Sequence, residues 1–280
     1  MRYRGASDSL AAMACPELAS VDGEISATEE ALIPPGDDGL LRGDGVFEVI
    51  RLYKGRPYAL AEHFDRLERS AAAIELDAQR PALEAEVSAL LREFGDHEGQ
   101  LRLVVTRGGR RLAFTEKLPA RGETVTLASV TYAPTIVLTG VKSLSYAANM
   151  QATRIAKSRG AEEAILVRPD GVVLEAPTST VFWVSPEGGL RTPSLGSGIL
   201  ASITRDRIAK ALHVEEGEYP FEDLHAAPEA FLASTVREVQ PVASIDGREL
   251  PGPPGPRTRE AIDAFAGVLE SELDPDWTPA

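Results

Sequence analysis

VKSLSYAANMQATRIAKSRGAEEAILVRPDGVVLEAPTSTVFWV, residues 141–184, is the stretch on which the reading of this chain turns. Lys142 follows an apolar run from Thr135 to Val141 and precedes Leu144, Tyr146 and a helical pattern reaching Lys157. An ammonium drawn into partly apolar surroundings loses hydration, so its pKa falls from about 10.4. A lysine made neutral in this way attacks carbonyls. Taken alone, Lys142 reads instead as a strand-end lysine that snorkels to solvent, the fate of most lysines. Beyond it, Glu163–Arg168, Pro169-Asp170-Gly171 and Val172–Glu175 read as strand, tight turn and strand. Val181–Val184 reads as a third strand. Glu175 closes the second strand, where a carboxylate either caps the loop or holds a proton on a buried ring nitrogen, as a pyridoxal cofactor requires.

In order and spacing these residues resemble the core of the class IV aminotransferases, the fold-type IV pyridoxal-phosphate enzymes. The resemblance covers about residues 18 to 250. It implies a two-domain α/β (α+β) architecture like that of D-amino-acid aminotransferase, with pyridoxal 5′-phosphate in the cleft and generally a homodimer. The family includes D-amino-acid transaminases, branched-chain aminotransferases, (R)-selective amine transaminases and 4-amino-4-deoxychorismate lyase. The resemblance implies Lys142 as the Schiff-base lysine and Glu175 as the carboxylate at the pyridine nitrogen.

Other motifs fall in family order. Leu41–Tyr53 joins a glycine-rich start to an alternating strand, and Phe47 and Val49 match pocket-lining positions. Ala61–Leu76 has helical spacing in Phe64, Leu67, Ala71 and Ile74. Within it, Glu62-His63-Phe64-Asp65-Arg66-Leu67 resembles the family segment whose arginine contacts the cofactor phosphate, a role that suits a guanidinium fork. Without the resemblance, Arg66 reads as an i,i+4 partner of Glu62. Ser202-Ile203-Thr204-Arg205 resembles a phosphate-binding turn before a helix, with Ser202 where the family has glycine. On its own, Thr204 reads as an N-cap. Thr235 matches a phosphate-contacting threonine, and Val236 and Arg237 follow it into the substrate pocket. Arg237 departs from the small residues usual there: pointing inward it offers a cation to a carboxylate, and pointing outward it pairs with Glu238 or solvent. Arg110 and Arg111, beside Gly108 and Gly109, are candidate receivers of the substrate carboxylate or simply a solvated loop.

The remaining expectations are coarser. Residues 1–16 read as an N-terminal extension, 17–132 as a small α/β domain and 133–141 as a linker. Residues 142–274 read as the large pyridoxal-phosphate domain and 275–280 as a tail. A hairpin is expected around Asp22-Gly23, helices over Arg80–Phe94 and Arg257–Leu273, strands over Leu101–Gly108 and Thr124–Val130, and a loop over Ser185–Ser197. With 29 basic and 43 acidic residues the net charge is −14, which argues against nucleic-acid or anionic-membrane partners. One cysteine excludes an internal disulfide and fits a reducing compartment. Four histidines and that cysteine show no metal-ligand spacing. No apolar run reaches the roughly 18 to 20 residues of a membrane helix, and the start lacks a secretory pattern, so a cytoplasmic protein is expected.

The segments Gly43–Gly55 and Val141–Tyr146 lie closer to D-amino-acid transaminases and aminodeoxychorismate lyases than to branched-chain enzymes. The expected activity is therefore transfer of an amino group between an amino acid, D-configured in preference, and a 2-oxo acid. The alternatives are the lyase, a branched-chain L-amino-acid or (R)-amine transaminase, and a non-catalytic pyridoxal-phosphate-binding protein.

Overall fold

The computed structural model describes residues 15–274 and 276–279. Its first sheet grows from the hairpin β1 (Leu18–Val21) and β2 (Glu24–Ala27), which turns at Asp22 and Gly23 with positive φ. A short helix α1 (Asp38–Arg42), capped by the Asp37 carboxylate, leads into β3 (Gly45–Tyr53) and β4 (Arg56–Pro57). Helices α2 (Leu60–Ala73) and α3 (Arg80–Phe94) precede β5 (Gly99–Thr106) and β6 (Arg111–Glu116). Strand order is β2-β1-β6-β5-β3-β4, every pair antiparallel.

Alternation along β3 sorts its side chains between two faces. Val46, Ile50 and Leu52 pack with Leu101, Leu103 and Val105 of β5 against Phe64, Leu67, Leu83 and Leu90 of the helices. Glu48 shares that helix-facing parity and is fully buried. Phe47 and Val49, with Gln100 and Arg102 of β5, have the opposite parity and line a cavity.

The second sheet comprises β7 (Val125–Thr131), β8 (Glu163–Val167), β9 (Thr180–Val184), β10 (Leu190–Pro193), β11 (Val214–Gly217), β12 (Ala230–Ser234), β13 (Glu238–Ile245) and β14 (Arg248–Glu249). Its order is β11-β10-β9-β12-β13-β7-β8, with β14 paired to β13. Helices α4 (Ala147–Ser158), α5 (Ile203–Ala211), α6 (Phe221–Ala226) and α7 (Pro256–Glu272) complete the chain. Val181, Trp183 and Leu232 face one core; Phe182 and Phe231, stacked with centroids 4.9 Å apart, face another with Ile208 of α5 and Phe265 of α7.

Several elements differ from expectation. β7 pairs in parallel with β8 and β13, so it belongs to the second sheet and the change of sheet falls between residues 116 and 125. The expected loop 185–197 contains β10, because Leu190 pairs in register with Val184 of β9 and the buried Thr192 hydroxyl donates to the Val181 carbonyl at 2.8 Å. Val172–Glu175 is no regular strand. After Gly171 at φ +90°, Val173 bridges Val167, Val172 bridges Pro220, and Leu166 bonds the backbone of Leu174 and Glu175 at 2.9 Å, so the segment follows β8 through isolated bridges. The hydroxyl that caps α5 belongs to Ser202, accepting from the Arg205 amide, rather than to Thr204. Ser202 has φ −76°, so glycine's freedom is not required there. The 1–16 extension lies, through residue 14, outside the described residues. Within the expected tail, Trp277 packs on the first core. Among the described residues no helix is long and apolar enough to cross a membrane, and no cluster of His, Cys, Asp and Glu could hold a metal ion.

Candidate active site

A cavity of about 910 Å³ opens between the two sheets, and Lys142, Glu175 and Arg66 all reach it. Lys142 is placed by the first sheet although it follows the second sheet's β7 in sequence. Its amide donates to Ser70 Oγ at 3.2 Å, and its carbonyl accepts from the Phe47 amide at 3.0 Å. Ser143 bridges Val46, and the Leu144 amide donates to the Gly45 carbonyl at 2.9 Å. This contact needs glycine at 45: a Cβ there would lie 2.5 Å from the Val105 carbonyl oxygen and 2.7 Å from Leu144 Cδ1. The Lys142 ammonium stands 4.4 Å from the centroid of Phe47. Burial pushes its pKa down to about 8, with Arg66 and Arg102 acting in the same direction and Glu48 and Glu175 opposing.

Glu175 ends the irregular segment before Pro177. Its Oε1 accepts from the Leu200 amide at 3.1 Å. Desolvation pushes the carboxyl up to about 7, against the pull of that amide, Lys142 and Arg66. Two groups that ordinarily titrate far apart are thus brought to neighbouring values at neutral pH.

Arg66 stands in a different setting. Its Nε and Nη2 each lie 2.7 Å from Glu48, one bond to each carboxylate oxygen, and Nη1 donates to the Ala201 carbonyl at 3.0 Å. Glu48 also meets His63 Nδ1 at 2.8 Å. His63 and Arg66 lie three residues apart on α2, so both face the same carboxylate. Although burial alone would raise Glu48, Arg66 and His63 hold it down at about 2. Glu62 pairs with Arg207 instead of Arg66.

Ser202, Thr235, Val236 and Arg237 line the same cavity, with Phe47 and Val49 opposite. Ile203 and Thr204 form the first turn of α5 just behind Ser202, and Thr204 is fully buried. Arg237 reaches the cavity wall but pairs with Glu163 and Gln240, each at 2.7 Å, not with Glu238. Arg110 and Arg111 are not brought to this chain's cavity. Arg110 pairs with Asp22 at 2.6 Å, and Arg111 pairs with Glu86 at 2.7 Å and bonds Gln79. Sequence reasoning missed Glu48, His63, Arg102 and Tyr146 as site groups. Arg102 lines the cavity while paired to Glu116 at 2.9 Å, and Tyr146 packs edge-on to Phe47. For Glu48 a signal existed, a lone acid in the apolar parity of Val46, Ile50 and Leu52.

Residues 45–245 match the family model described as amino-transferase class IV. The chain is 33% identical over 277 residues to a D-alanine aminotransferase of Bacillus licheniformis, covering 90% of this chain and 96% of the relative. It is 30% identical over 280 residues to an aminodeoxychorismate lyase of Bacillus subtilis, covering 90% and 94%. Branched-chain aminotransferases are among the similar chains as well. A solved structure described as a hypothetical aminotransferase from Mycobacterium tuberculosis, PLP-bound form, superposes with a TM-score of 0.82 at 26% identity, covering 91% of this chain and 99% of that one.

Class IV aminotransferases use pyridoxal 5′-phosphate, and the groups around this cavity fit it. An amine near neutrality suits its aldehyde, and a desolvated carboxyl suits its ring nitrogen. The first amides of α5 and the guanidinium hydrogens that Arg66 has not committed suit its phosphate. Among the described residues, the hydroxyls of Ser179, Thr180 and Thr204 are buried without a partner. Such orphans are costly unless a ligand satisfies them, and Ser179 and Thr180 line the cavity.

Proposed function

The chain belongs to the class IV aminotransferase family, and from that premise we propose that it moves an amino group between an amino acid, D-configured in preference to L, and a 2-oxo acid. Bound pyridoxal phosphate supplies the electron sink that makes the substrate's Cα–H acidic. In this reading the Lys142 amine anchors the cofactor and, once released by the incoming amine, carries the proton to and from the substrate Cα. Glu175 holds the proton at the cofactor's ring nitrogen. Arg66, Ser202, Ile203, Thr204 and Thr235 hold the phosphate, Ile203 through its backbone. Phe47, Val49 and Val236 shape the substrate pocket. Arg102, which is near enough to depress the Lys142 amine, is the cation we assign to the substrate α-carboxylate.

The observation that carries the reading is the presence in one cavity of Lys142, its amine lowered to about 8, Glu175, its carboxyl raised to about 7, and Arg66. The D preference is supported by the likeness to D-alanine aminotransferases. A second reading, the lyase that releases pyruvate, is supported by the likeness to an aminodeoxychorismate lyase. We read the two sheets as two domains meeting at the cleft. The large exposed side chains of Leu32, Ile136 and Val137 support a homodimer, and the protein is read as cytoplasmic.

The test is the visible spectrum of the cofactor-loaded protein before and after D-alanine or D-glutamate, with no oxo acid added. Loss of the visible band with these and not with L-leucine is the expected result. Loss with L-leucine alone overturns the D preference. No loss with any amine, together with pyruvate release from aminodeoxychorismate, replaces the transaminase with the lyase.

A further inference from the structure

We propose that Arg237, gripped by Glu163 and Gln240 in the cavity wall, is a specificity-determining residue that receives the side-chain carboxylate of dicarboxylic amino acids and 2-oxo acids. The proposal rests on the transaminase reading and adds to it a receptor that lies away from the reacting carbon.

The cluster is built rather than incidental. Glu163 opens β8 and is 4% exposed. Its Oε1 accepts from Thr153 Oγ1 at 2.7 Å and from the Ala164 amide at 3.1 Å, leaving Oε2 for Arg237 Nη2 at 2.7 Å. Gln240 accepts from Arg237 Nη1 at 2.7 Å, while its own amide group donates to the carbonyls of Gly122 and Thr124 at 2.9 and 3.3 Å. Both partners of the guanidinium are therefore anchored to backbone or to a helix, and the fork is held in one orientation. These two bonds take one hydrogen from each terminal nitrogen. Arginine carries five such donors, so three remain for a ligand in the cavity that Arg237 lines.

The place of the cluster argues for a side-chain carboxylate instead of the α-carboxylate. The charges that act on Lys142 are Glu48, Arg66, Glu175 and Arg102. Those that act on Arg237 most strongly are Glu163, Arg121 and Glu162, and none of these is among the charges that dominate at Lys142. Arg121 lines the same cavity and donates to the carbonyls of Val236 and Arg237, adding a second positive charge to this end. Glu163 offsets the charge of Arg237, so the receptor is a fixed fork of moderated strength. This gives the two partners opposite signs: losing Arg237 weakens an anion's hold, and neutralising Glu163 strengthens it.

The experiment measures kcat and KM of the cofactor-loaded enzyme for glutamate and for alanine of the enantiomer it accepts, in wild type, R237A, R237K and E163Q. Calorimetric titration with glutarate, a dicarboxylate with no group to react, runs alongside. Expected are a fall of about tenfold or more in the glutamate-to-alanine ratio of kcat/KM for R237A, carried by KM, a smaller fall for R237K, and a rise for E163Q. Glutarate binding should weaken about tenfold in R237A and tighten in E163Q. A ratio that stays level in R237A, or that falls alike in R237A and E163Q, overturns the proposal. Should wild type turn over neither amino acid, the transaminase reading fails, and glutarate binding still decides the receptor through the opposite signs of R237A and E163Q.

Discussion

Two buried charge clusters border the same cavity, and they are solved in opposite ways. At one, Glu48 meets Arg66 through two bonds and His63 through a third, so a carboxylate with no solvent contact ends at about 2. At the other, Lys142 and Glu175 are desolvated with little direct compensation. The Glu175 carboxylate accepts from the Leu200 amide, and Lys142 has a ring face beside its ammonium. The first cluster is electrostatically closed and holds a guanidinium in place. The second is left unbalanced, with both groups drawn to the neutral range where proton transfer is easy. In the proposed reading, rigidity is invested where the cofactor phosphate would be gripped, and frustration is kept where a proton would move.

Removing the amine should break the open end most severely. Lys142→Ala is expected to cut turnover by roughly 10³-fold or more while leaving the fold and the cavity in place. Turnover within about tenfold of wild type, measured on protein with a wild-type melting transition, would sink the assignment. Breaking the closed end should register first in stability. Glu48→Gln leaves Arg66 and His63 facing a neutral amide, at a cost of about 3 kcal/mol, in line with a carboxyl moved from its ordinary 4.5 to about 2. The sign of the linkage follows from that depression. The stabilisation is present above about pH 4.5 and is lost as pH falls towards 2. The Glu48→Gln and wild-type denaturation curves should therefore converge across that window. Curves that stay parallel would remove Glu48 from this role.

These two ends were unequally legible in the sequence. Helix α3 matched its expected bounds, Arg80 to Phe94, because a proline in its first turn and Gly95 after its end punctuate a clear apolar stripe. Lys142 and Glu175, which reach the cavity, stood out in the sequence because short-range motifs carry them. Arg66 stood out too, but its bonds to Glu48 did not, since Glu48 lies 18 residues earlier on another element. The apolar parity of β3 pointed to a buried acid, yet only the packing of α2 on that strand reveals the partner. The arginines after Gly108 were ambiguous for a similar reason. Their partners Asp22 and Glu86 are 88 and 25 residues away, and nothing local distinguishes a paired guanidinium from a free one. β10 was obscured by Gly188, Gly189 and Pro193, whose turn chemistry outweighs the buried Leu190 and Thr192.

The contrast between the clusters is sharpest in pH, because the closed one acts on the open one through its field. Neutral Lys142 is the form that captures an aldehyde, and its pKa is about 8. The rate at which visible absorbance develops with fixed pyridoxal phosphate should rise with pH and level off above 8, falling about tenfold for each unit below it. Glu48 raises the Lys142 pKa and Arg102 lowers it. Glu48→Gln should therefore move the half-maximal pH downward and Arg102→Gln should move it upward, each by a fraction of a unit because both charges act at a distance. Opposite displacements would tie the two clusters into one electrostatic unit. Displacements of the same sign, or none in either variant, would mean that burial alone sets the amine and that the Glu48 cluster serves only to fix Arg66.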